Sequence, residues 1–471
     1  MRRVLALLAV AVLGACSGSD GGPKPSVSSA SAAQPGFRPG APGAGDPYFP
    51  TYGNGGYDVA GYELDLRYDP RTGELGGSAT ITATATQDLS RFNLDLAGLT
   101  VTGVRVEGAA ATARAEGDEL VVTPATGIVR GTAFSTVVRY HGKPARLPNK
   151  TLGEGGWLAM EGGAVALGEP ESASTWYPVN DHPSDKATFA LAMTVPDGVE
   201  VISNGVPGPR ASTGGWTTWR WTESAPMASY LSTVVIGQYR ITTSTHDGKP
   251  MVVAIPDSLP ADGPAARSVA RTGEITDFLA TKFGPYPFDS YGGVVVDDDR
   301  IRYALETQSR PVYGAAFFDG GPNDRVIAHE LAHQWFGDSV ALGRWQDIWL
   351  NEGFATYAEW LWEEHLGRFT ARQSFDRAYN SFDWQQAPGD PTPDRLFGDA
   401  VYTRGGMTVF ALREKIGPPA FDRLVREWIA DHRNGNATTA DLIAAAEQVS
   451  GQQLDGFFEA WLDGTTRPPA P

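Results

Sequence analysis

Two histidines and a nearby glutamate in the second half of the chain have the spacing of a metal site. His329 and His333 are four residues apart, so on a helix both imidazoles project from one face and can hold one metal ion. Glu330 lies between them and points roughly 100° around the helix, where its carboxylate can act on a water without binding the metal. Glu352 supplies a third ligand if the helix that follows packs beside the first.

This combination predicts a catalytic metal site. Three protein ligands leave a fourth position open for water, whereas a structural zinc site is closed by four ligands. Two imidazoles and one carboxylate suit Zn²⁺, so we predict one zinc ion, with Glu330 as the general base. The alternative is that His329 and His333 are core or surface histidines of an amphipathic helix. Asp338 and Glu359 are candidates to support the ligands, because we place both on the zinc helices.

The elements that must position these residues follow from local patterns. The first helix is predicted to begin after a Gly-Gly-Pro turn, with Asn323 or Asp324 as its N-cap. The run 345–364 has helical spacing of apolar residues and predicts the second helix. Residues 46–245 alternate between apolar and polar, with breaks at Gly, Pro and Asp, which predicts an all-β domain. Strands and helices mix in 246–471, so the predicted fold class is α+β.

The metal motifs resemble those of one known family. Residues 329–333 read H-E-L-A-H and residues 351–355 read N-E-G-F-A, which is similar to the aminopeptidase N family of gluzincin zinc metallopeptidases. The resemblance covers about residues 57–462. It implies a thermolysin-like, mostly α catalytic domain at 246–471, with one Zn²⁺ held by two histidines and one glutamate. We expect a short member without the long helical C-terminal domain that many members carry.

A second resemblance lies upstream of the zinc helix. Residues 303–307 read Y-A-L-E-T where the family has G-A-M-E-N, so Ala304 and Glu306 match and the other positions differ. The resemblance implies that this strand borders the cleft and pairs with the peptide backbone, and that Glu306 binds the free α-amino group. Without the family resemblance, the sequence around Glu306 would indicate a surface carboxylate.

A third segment lies within the predicted β domain. Glu169-Pro170, together with the W-Y-P run at 176–178 and the K-A-T-F run at 186–189, is similar to a family segment in which a glutamine or glutamate near the start, here Glu169, faces the active site. The resemblance implies that Glu169 helps to bind the substrate amino group. The alternative is a solvated loop carboxylate.

The fourth segment follows the zinc helices. Tyr402 begins Y-T-R-G, which is similar to the family's Y-x-K-G with Arg404 in place of lysine. The resemblance implies that the Tyr402 hydroxyl stabilises the oxyanion of the tetrahedral intermediate. The alternative is a half-buried aromatic residue at a helix start.

Together these residues predict a zinc aminopeptidase. Glu330 would take a proton from water and pass it to the leaving amine, while Glu306 and Glu169 grip the substrate ammonium group. An internal peptide stretch would leave those carboxylates unpaired, which favours cutting at the N-terminus. Two alternatives stay open. One is another zinc hydrolase on the same scaffold, such as an endopeptidase or an epoxide hydrolase, and the other is a non-catalytic surface lipoprotein whose metal site is structural.

The start of the chain predicts export. Arg2 and Arg3 precede an apolar run that is too short to span a bilayer, which needs about 20 residues, so 1–15 is predicted to be a signal peptide. The L-G-A-C sequence ending at Cys16 is similar to a bacterial lipoprotein cleavage box. We therefore predict lipid attachment at Cys16 and anchoring to the outer face of the bacterial cell membrane. Residues 16–45, rich in Ser, Pro and Gly, are predicted to be a flexible tether.

Composition excludes several classes of protein. The chain has 471 residues and a net charge of −17, and its Lys and Arg residues form no long run, so we predict no nucleic-acid partner. The single cysteine excludes a disulfide within the chain and excludes cysteine as a zinc ligand. We expect a monomer that acts on peptides with a free N-terminus.

Overall fold

The structure is a computed structural model that describes residues 36–149 and 152–471. The predicted signal peptide 1–15, the predicted lipidation site Cys16 and most of the predicted tether lie outside the described residues. In the part of the chain that is described, no helix combines the length and the apolar character needed to cross a lipid bilayer.

Strands build the first half of the chain, which confirms the predicted β domain. In the strand Tyr57–Asp69, buried and exposed side chains alternate, so one face of the strand packs into the core and the other faces solvent. The strands are β1 (Arg38–Pro39), β2 (Tyr57–Asp69), β3 (Glu74–Ala85), β4 (Leu89–Asp95), β5 (Thr100–Val106), β6 (Ala109–Ala110), β7 (Thr112–Glu116), β8 (Glu119–Thr123), β9 (Ala133–Gly142), β10 (Arg146–Asn149), β11 (Gly153–Met160), β12 (Gly163–Leu167), β13 (Lys186–Pro196), β14 (Glu200–Ser203), β15 (Val206–Pro207), β16 (Ala211–Thr213), β17 (Trp216–Ala228) and β18 (Val234–Gly237).

These strands pair into three sheets within the described residues. A nine-stranded sheet has the order β15-β17-β13-β2-β3-β9-β5-β6, with β16 paired to β17. A four-stranded sheet has the order β1-β4-β8-β7, and a five-stranded sheet has the order β10-β11-β12-β18-β14. Most neighbours are antiparallel, but β13 runs parallel to β2, with Leu191 opposite Leu64. Both leucines are buried, so the register places the apolar faces of adjacent strands on the same core.

A separate sheet opens the second half of the chain. Its strands are β19 (Tyr239–His246), β20 (Lys249–Pro256), β21 (Tyr291–Val296), β22 (Ala304–Leu305) and β23 (Val312–Gly314), in the spatial order β19-β20-β21-β23-β22. The predicted boundary between 245 and 246 falls inside β19. It is too late, because β19 pairs with β20 from Tyr239 opposite Pro256 to His246 opposite Lys249 and so belongs to the second sheet.

Helices form most of the rest of the second half, as predicted. They are α1 (Pro264–Val269), α2 (Thr272–Phe283), α3 (Asp324–Ala332), α4 (Trp349–His365), α5 (Ala371–Ser381), α6 (Gly405–Ile416), α7 (Pro418–Asp431), α8 (Thr439–Ser450) and α9 (Asp455–Phe458). Two short strands, β24 (Ala341–Leu342) and β25 (Asn436–Ala437), pair in parallel and connect the segment after α3 to the segment before α8. Helix α4 packs against α3 and α6, which places it at the centre of this half.

The chain before β2 is held against the β domain. β1 pairs in parallel with β4, and the backbone N–H of Gly40 donates to the carbonyl oxygen of Arg91 at 2.8 Å. The predicted tether 16–45 therefore extends too far, because Arg38 and Pro39 within it belong to a sheet. Backbone hydrogen bonds hold these residues without large apolar side chains, and composition alone does not reveal such bonds.

Asp46 connects this segment to both halves of the molecule. Its buried carboxylate accepts hydrogen bonds from the backbone N–H groups of Tyr48 at 2.7 Å, Phe49 at 3.0 Å and Trp345 at 2.8 Å. It also accepts one from His182 Nε2 at 3.2 Å. Burial raises the pKa of Asp46, but these hydrogen bonds outweigh burial and lower the pKa to about 2.

We expect Asp46→Ala to lower the free energy of unfolding by about 3 kcal/mol, because it leaves buried N–H groups without an acceptor. Thermal unfolding followed by circular dichroism measures this, with Asp58→Ala, an exposed carboxylate on β2, as the control. The folded pKa lies below the unfolded value of about 4. The contribution of Asp46 is therefore full above that pH and is lost as the pH falls through about 2. Equal melting temperatures for the two variants would contradict the expectation.

Candidate active site

Helix α3 presents two histidines toward α4. The helix is capped by Asn323, whose side chain accepts a hydrogen bond from the backbone N–H of Val326 at 3.3 Å. Of the two predicted caps, the structure therefore has Asn323. The buried rings of His329 and His333 lie 4.8 Å apart, one helical turn from each other.

Glu352, in the first turn of α4, completes a set of three possible ligands. Its Oε2 atom lies 3.1 Å from Nε2 of His329 and 3.4 Å from Nε2 of His333. Two ligand atoms about 2.0–2.1 Å from a zinc ion, at tetrahedral angles, lie about 3.3 Å from each other. The observed spacing fits zinc without rearrangement of the backbone.

The charges around this set also fit a cation. Five carboxylates line the cleft above the histidines, namely those of Glu169, Glu306, Glu330, Glu352 and Glu359. Burial lowers the pKa of His333, but Glu352 and Glu306 outweigh burial and raise it to about 9. The two imidazoles and the guanidinium of Arg325, which binds Glu359, are fewer than the five carboxylates. A divalent cation between the histidines and Glu352 would reduce the repulsion among them.

Hydrogen bonds on the far side of each ring fix the orientation of the histidines. Nδ1 of His329 lies 2.7 Å from Oε1 of Glu359, and Nδ1 of His333 lies 3.0 Å from the carbonyl oxygen of Phe336. Each Nδ1 therefore donates, so Nε2 is the ring atom that would bind a metal in place of its proton. Arg325 holds the other oxygen of Glu359. Glu359 therefore supports the ligand candidate His329, as the sequence analysis predicted.

Asp338 does not have the place predicted for it. Helix α3 ends at Ala332, so Asp338 lies in the following loop and not on a zinc helix. Within the described residues its buried carboxyl group makes no hydrogen bond. Instead, its backbone carbonyl accepts a hydrogen bond from Nζ of Lys186 at 2.7 Å, and Lys186 also donates to the carbonyl of Ser339 at 2.9 Å. A lysine from β13 therefore holds the loop that follows the second histidine.

Glu330 lies on the cleft side of α3. Burial raises its pKa to about 8, although the two neighbouring histidines lower it. One of its oxygens lies within 4.8 Å of ligand atoms of Glu306 and His333. The carboxylate is therefore beside the metal set and outside it, which suits a group that moves protons.

Tyr402 reaches the metal site because two segments cross at glycines. It lies in a π-helical turn, Ala400–Arg404, and its ring is 5.9 Å from the ring of His329. A Cβ atom at Gly353 would lie 2.8 Å from the backbone of Gly405, so this close approach requires glycine. Burial raises the pKa of Tyr402 well above its ordinary value, so the hydroxyl stays protonated and can donate.

Arg404 anchors the turn that carries Tyr402. Its buried guanidinium donates to the backbone carbonyls of Trp384, Gln386, Ala460, Trp461 and Gly464. Burial lowers the pKa of Arg404 to about 10, so it stays charged at neutral pH. A lysine has three donors and could not make this set of five hydrogen bonds.

The edge strand β22 borders the cleft. In the described chain it pairs only with β23, with Ala304 opposite Tyr313, so its other edge is open to the cleft. Glu306 follows directly, and Ala304 and Glu306 both line the cleft. Oε1 of Glu306 accepts a hydrogen bond from the hydroxyl of Tyr230 at 3.0 Å. Glu306 is 2% exposed, so the alternative of a surface carboxylate is wrong.

Glu169 approaches the same cleft from the β domain. It follows β12 and is 4% exposed, so the alternative of a solvated loop carboxylate is wrong. Burial and the neighbouring Glu306 raise its pKa. The cleft has a volume of about 550 Å³ and is lined by residues of both halves of the molecule. With the exception of Asp338, the structure therefore brings the site residues predicted within its described part together in one cleft.

Three supporting residues were missed by the sequence analysis. Lys186 and Tyr230 lie in the β domain, far along the chain from the residues they contact. Lys186 begins the K-A-T-F run noted above, but that run did not reveal its role, and no local pattern marks Tyr230. Gln334 directly follows the H-E-x-x-H motif. Its Nε2 donates to the carbonyl of Glu306 at 2.9 Å and its Oε1 accepts from the N–H of Ser309 at 2.7 Å. Its position beside the motif was the one available signal.

A β-sheet domain that shares a cleft with a helical domain bearing two histidines and a glutamate is the architecture of a two-domain zinc metallopeptidase. Comparison with known families agrees. Residues 59–231 match the Peptidase M1 N-terminal domain, and residues 285–461 match the Peptidase family M1 domain. The chain belongs to peptidase family M1, which confirms the family resemblance and the α+β fold expected from the sequence.

Individual relatives show the same relationship. Aminopeptidase N of Streptomyces lividans is 30% identical over 316 residues, which cover 60% of this chain and 36% of that protein. Aminopeptidase M1 of Arabidopsis thaliana is 28% identical over 321 residues, which cover 63% of this chain and 36% of that protein. The chain thus spans about a third of the length of these relatives.

A solved structure matches nearly end to end. The M1 zinc metallopeptidase from Deinococcus radiodurans superimposes with a TM-score of 0.85 at 29% identity, over 91% of this chain and 98% of that one. A mutant of that enzyme, solved with a Tyr-Ser-Ala substrate, gives a TM-score of 0.84 at the same identity.

We expect Glu359→Gln to weaken zinc binding about 10- to 100-fold, because the amide cannot act as the charged partner of His329. Competition for zinc with a chromophoric chelator measures the affinity. Glu363→Gln is the matched control, since Glu363 lies one turn along α4 and pairs with Arg368. Equal zinc affinities for the two variants would show that Glu359 does not support the site.

Proposed function

We propose that this chain is a zinc-dependent aminopeptidase that removes N-terminal residues from peptides. The observation that carries the proposal is the common cleft in which Glu306 and Glu169 lie near the three metal-ligand candidates. Two buried carboxylates in a cleft with an open strand edge suit a peptide that starts with an ammonium group. The substrate-bound Deinococcus radiodurans mutant, whose ligand is the tripeptide Tyr-Ser-Ala, supports short peptides as substrates.

In the proposed mechanism, His329, His333 and Glu352 would hold one zinc ion. When bound, the ion would polarise the scissile carbonyl and lower the pKa of water in the site. Glu330 takes a proton from the attacking water and delivers it to the leaving amine. The hydroxyl of Tyr402, which burial keeps protonated, donates to the oxygen that becomes negative in the transition state.

The two amine-binding carboxylates select the end of the peptide. A substrate ammonium near Glu306 and Glu169 pairs with charges that are otherwise buried and close to each other. An internal peptide segment or an epoxide offers no such charge and would not relieve the repulsion between these two neighbouring carboxylates. This difference favours an aminopeptidase over an endopeptidase or an epoxide hydrolase. A purely structural metal site would give Glu330 and Tyr402 no role, which disfavours a non-catalytic lipoprotein.

We also propose that the protein is exported and anchored to the outer face of the bacterial cell membrane by lipid on Cys16. The supports are the two early arginines, the apolar run after them and the L-G-A-C sequence. Lipid on Cys16 that carries two acyl chains would be enough for stable anchoring.

The proposed site is built from residues of a single polypeptide and needs none from a second copy. We therefore propose that the enzyme acts as a monomer.

The aminopeptidase proposal predicts a preference for free amines. We expect the wild type to hydrolyse L-alanine p-nitroanilide at least about 100-fold faster than its N-acetylated form, because acetylation removes the ammonium group. Glu330→Gln should keep its zinc, measured by elemental analysis, and lose about 10²- to 10⁴-fold in kcat. Equal rates on the two reporters, or full activity in the zinc-loaded variant, would overturn the proposal.

The export proposal predicts the location of the protein. We expect the wild type to appear in the membrane fraction of an expressing bacterium, with a lipid mass on the N-terminal peptide by mass spectrometry. Cys16→Ser should remove the lipid and move the protein out of that fraction. An unmodified wild-type cysteine would refute lipid anchoring.

A further inference from the structure

Tyr230 contacts the carboxylate proposed to bind the substrate amine. It lies in the turn Ser229–Leu231 after β17, in the β domain, and its hydroxyl donates to Oε1 of Glu306 at 3.0 Å. Tyr230 is 1% exposed and Glu306 is 2% exposed, so water does not compete for this hydrogen bond. Tyr230 is not among the residues that the proposed mechanism uses.

The ring of Tyr230 is itself held in place. It packs edge-on against the ring of Trp345, with ring centroids 5.3 Å apart and an interplanar angle of 62°. The backbone N–H of Trp345 donates to Asp46 at 2.8 Å, which fixes this residue in turn. The position of the hydroxyl is therefore set by packing and not by its bond to Glu306.

The backbone of Glu306 is fixed separately. The side-chain amide of Gln334, one residue past the second histidine, donates to the carbonyl of Glu306 and accepts from the N–H of Ser309. With the backbone held in this way, the remaining freedom of Glu306 is rotation about its own side-chain bonds. The hydroxyl of Tyr230 restrains that rotation together with the backbone N–H of Glu306 itself, because each donates to the carboxylate.

We propose that Tyr230 is a positioning residue for substrate recognition, which holds the Glu306 carboxylate so that its second oxygen is available to the substrate ammonium group. This inference rests on the proposed aminopeptidase function and adds the β domain as the element that sets the amine-binding geometry. Loss of the hydroxyl lets the carboxylate turn and leaves the metal ligands unchanged. The effect is therefore expected in binding of the free amine more than in the chemical step.

Tyr230→Phe tests the inference, because it removes the hydroxyl and keeps the ring against Trp345. We expect KM for L-alanine p-nitroanilide to rise about tenfold while kcat changes less than about threefold. Tyr57→Phe is the matched control, since Tyr57 is also buried in the β domain and its hydroxyl donates to the backbone carbonyl of Asn93 at 2.7 Å. Thermal unfolding of both variants separates a loss of stability from a loss of recognition.

A double-mutant cycle with Glu306→Gln distinguishes positioning from a general structural effect. If Tyr230 acts through Glu306, Tyr230→Phe changes KM less than about twofold in the Glu306→Gln background. Full additivity of the two substitutions, or an equal rise in KM for Tyr57→Phe, overturns the inference alone. A wild type that shows no preference for the free amine overturns the proposed function and the inference together.

Discussion

The accumulation of negative charge in the cleft is the constraint on which the site depends. Carboxylates from a loop of the β domain, from the end of an edge strand and from α3 and α4 are buried within one cleft, where their repulsion is weakly screened. Positive charge must balance them. A metal ion held by Glu352 and an ammonium group held by Glu306 and Glu169 are the two charges that the proposed function supplies. Metal binding and choice of substrate therefore have one electrostatic cause.

The position of these charges depends on contacts between the two halves. Lys186 and Tyr230 reach from the β domain to the loop after α3 and to Glu306, while Asp46 ties the start of the described chain to Trp345. The metal-ligand candidates come from the helical half alone. The groups that would orient the substrate come from both halves, so the β domain is part of the site.

Much of the fold and the core of the site could be predicted from the sequence, because the signals are local. The spacing of His329 and His333 fixes their shared helix face, and alternation along β2 fixes a strand. Other features depend on contacts that a sequence does not display. Asp338 has helical spacing from the histidines, but α3 ends before it. No local sequence pattern indicates that the hydroxyl of Tyr230 donates to Glu306. Strand β1 lies in a segment whose composition predicts a flexible tether, but backbone hydrogen bonds hold it against β4.

The departures from the family motif at the edge strand are compensated by other bonds. Tyr303, where the family has glycine, donates its hydroxyl to the backbone carbonyl of Glu154 at 2.9 Å and so ties the strand to β11. Thr307, where the family has asparagine, donates to the carbonyl of Arg310 at 2.7 Å and closes the turn after Glu306. The strand itself forms through backbone bonds, which the side chains do not determine. These hydrogen bonds hold the backbone on both sides of Glu306, whose carboxylate is the group of this segment that carries charge.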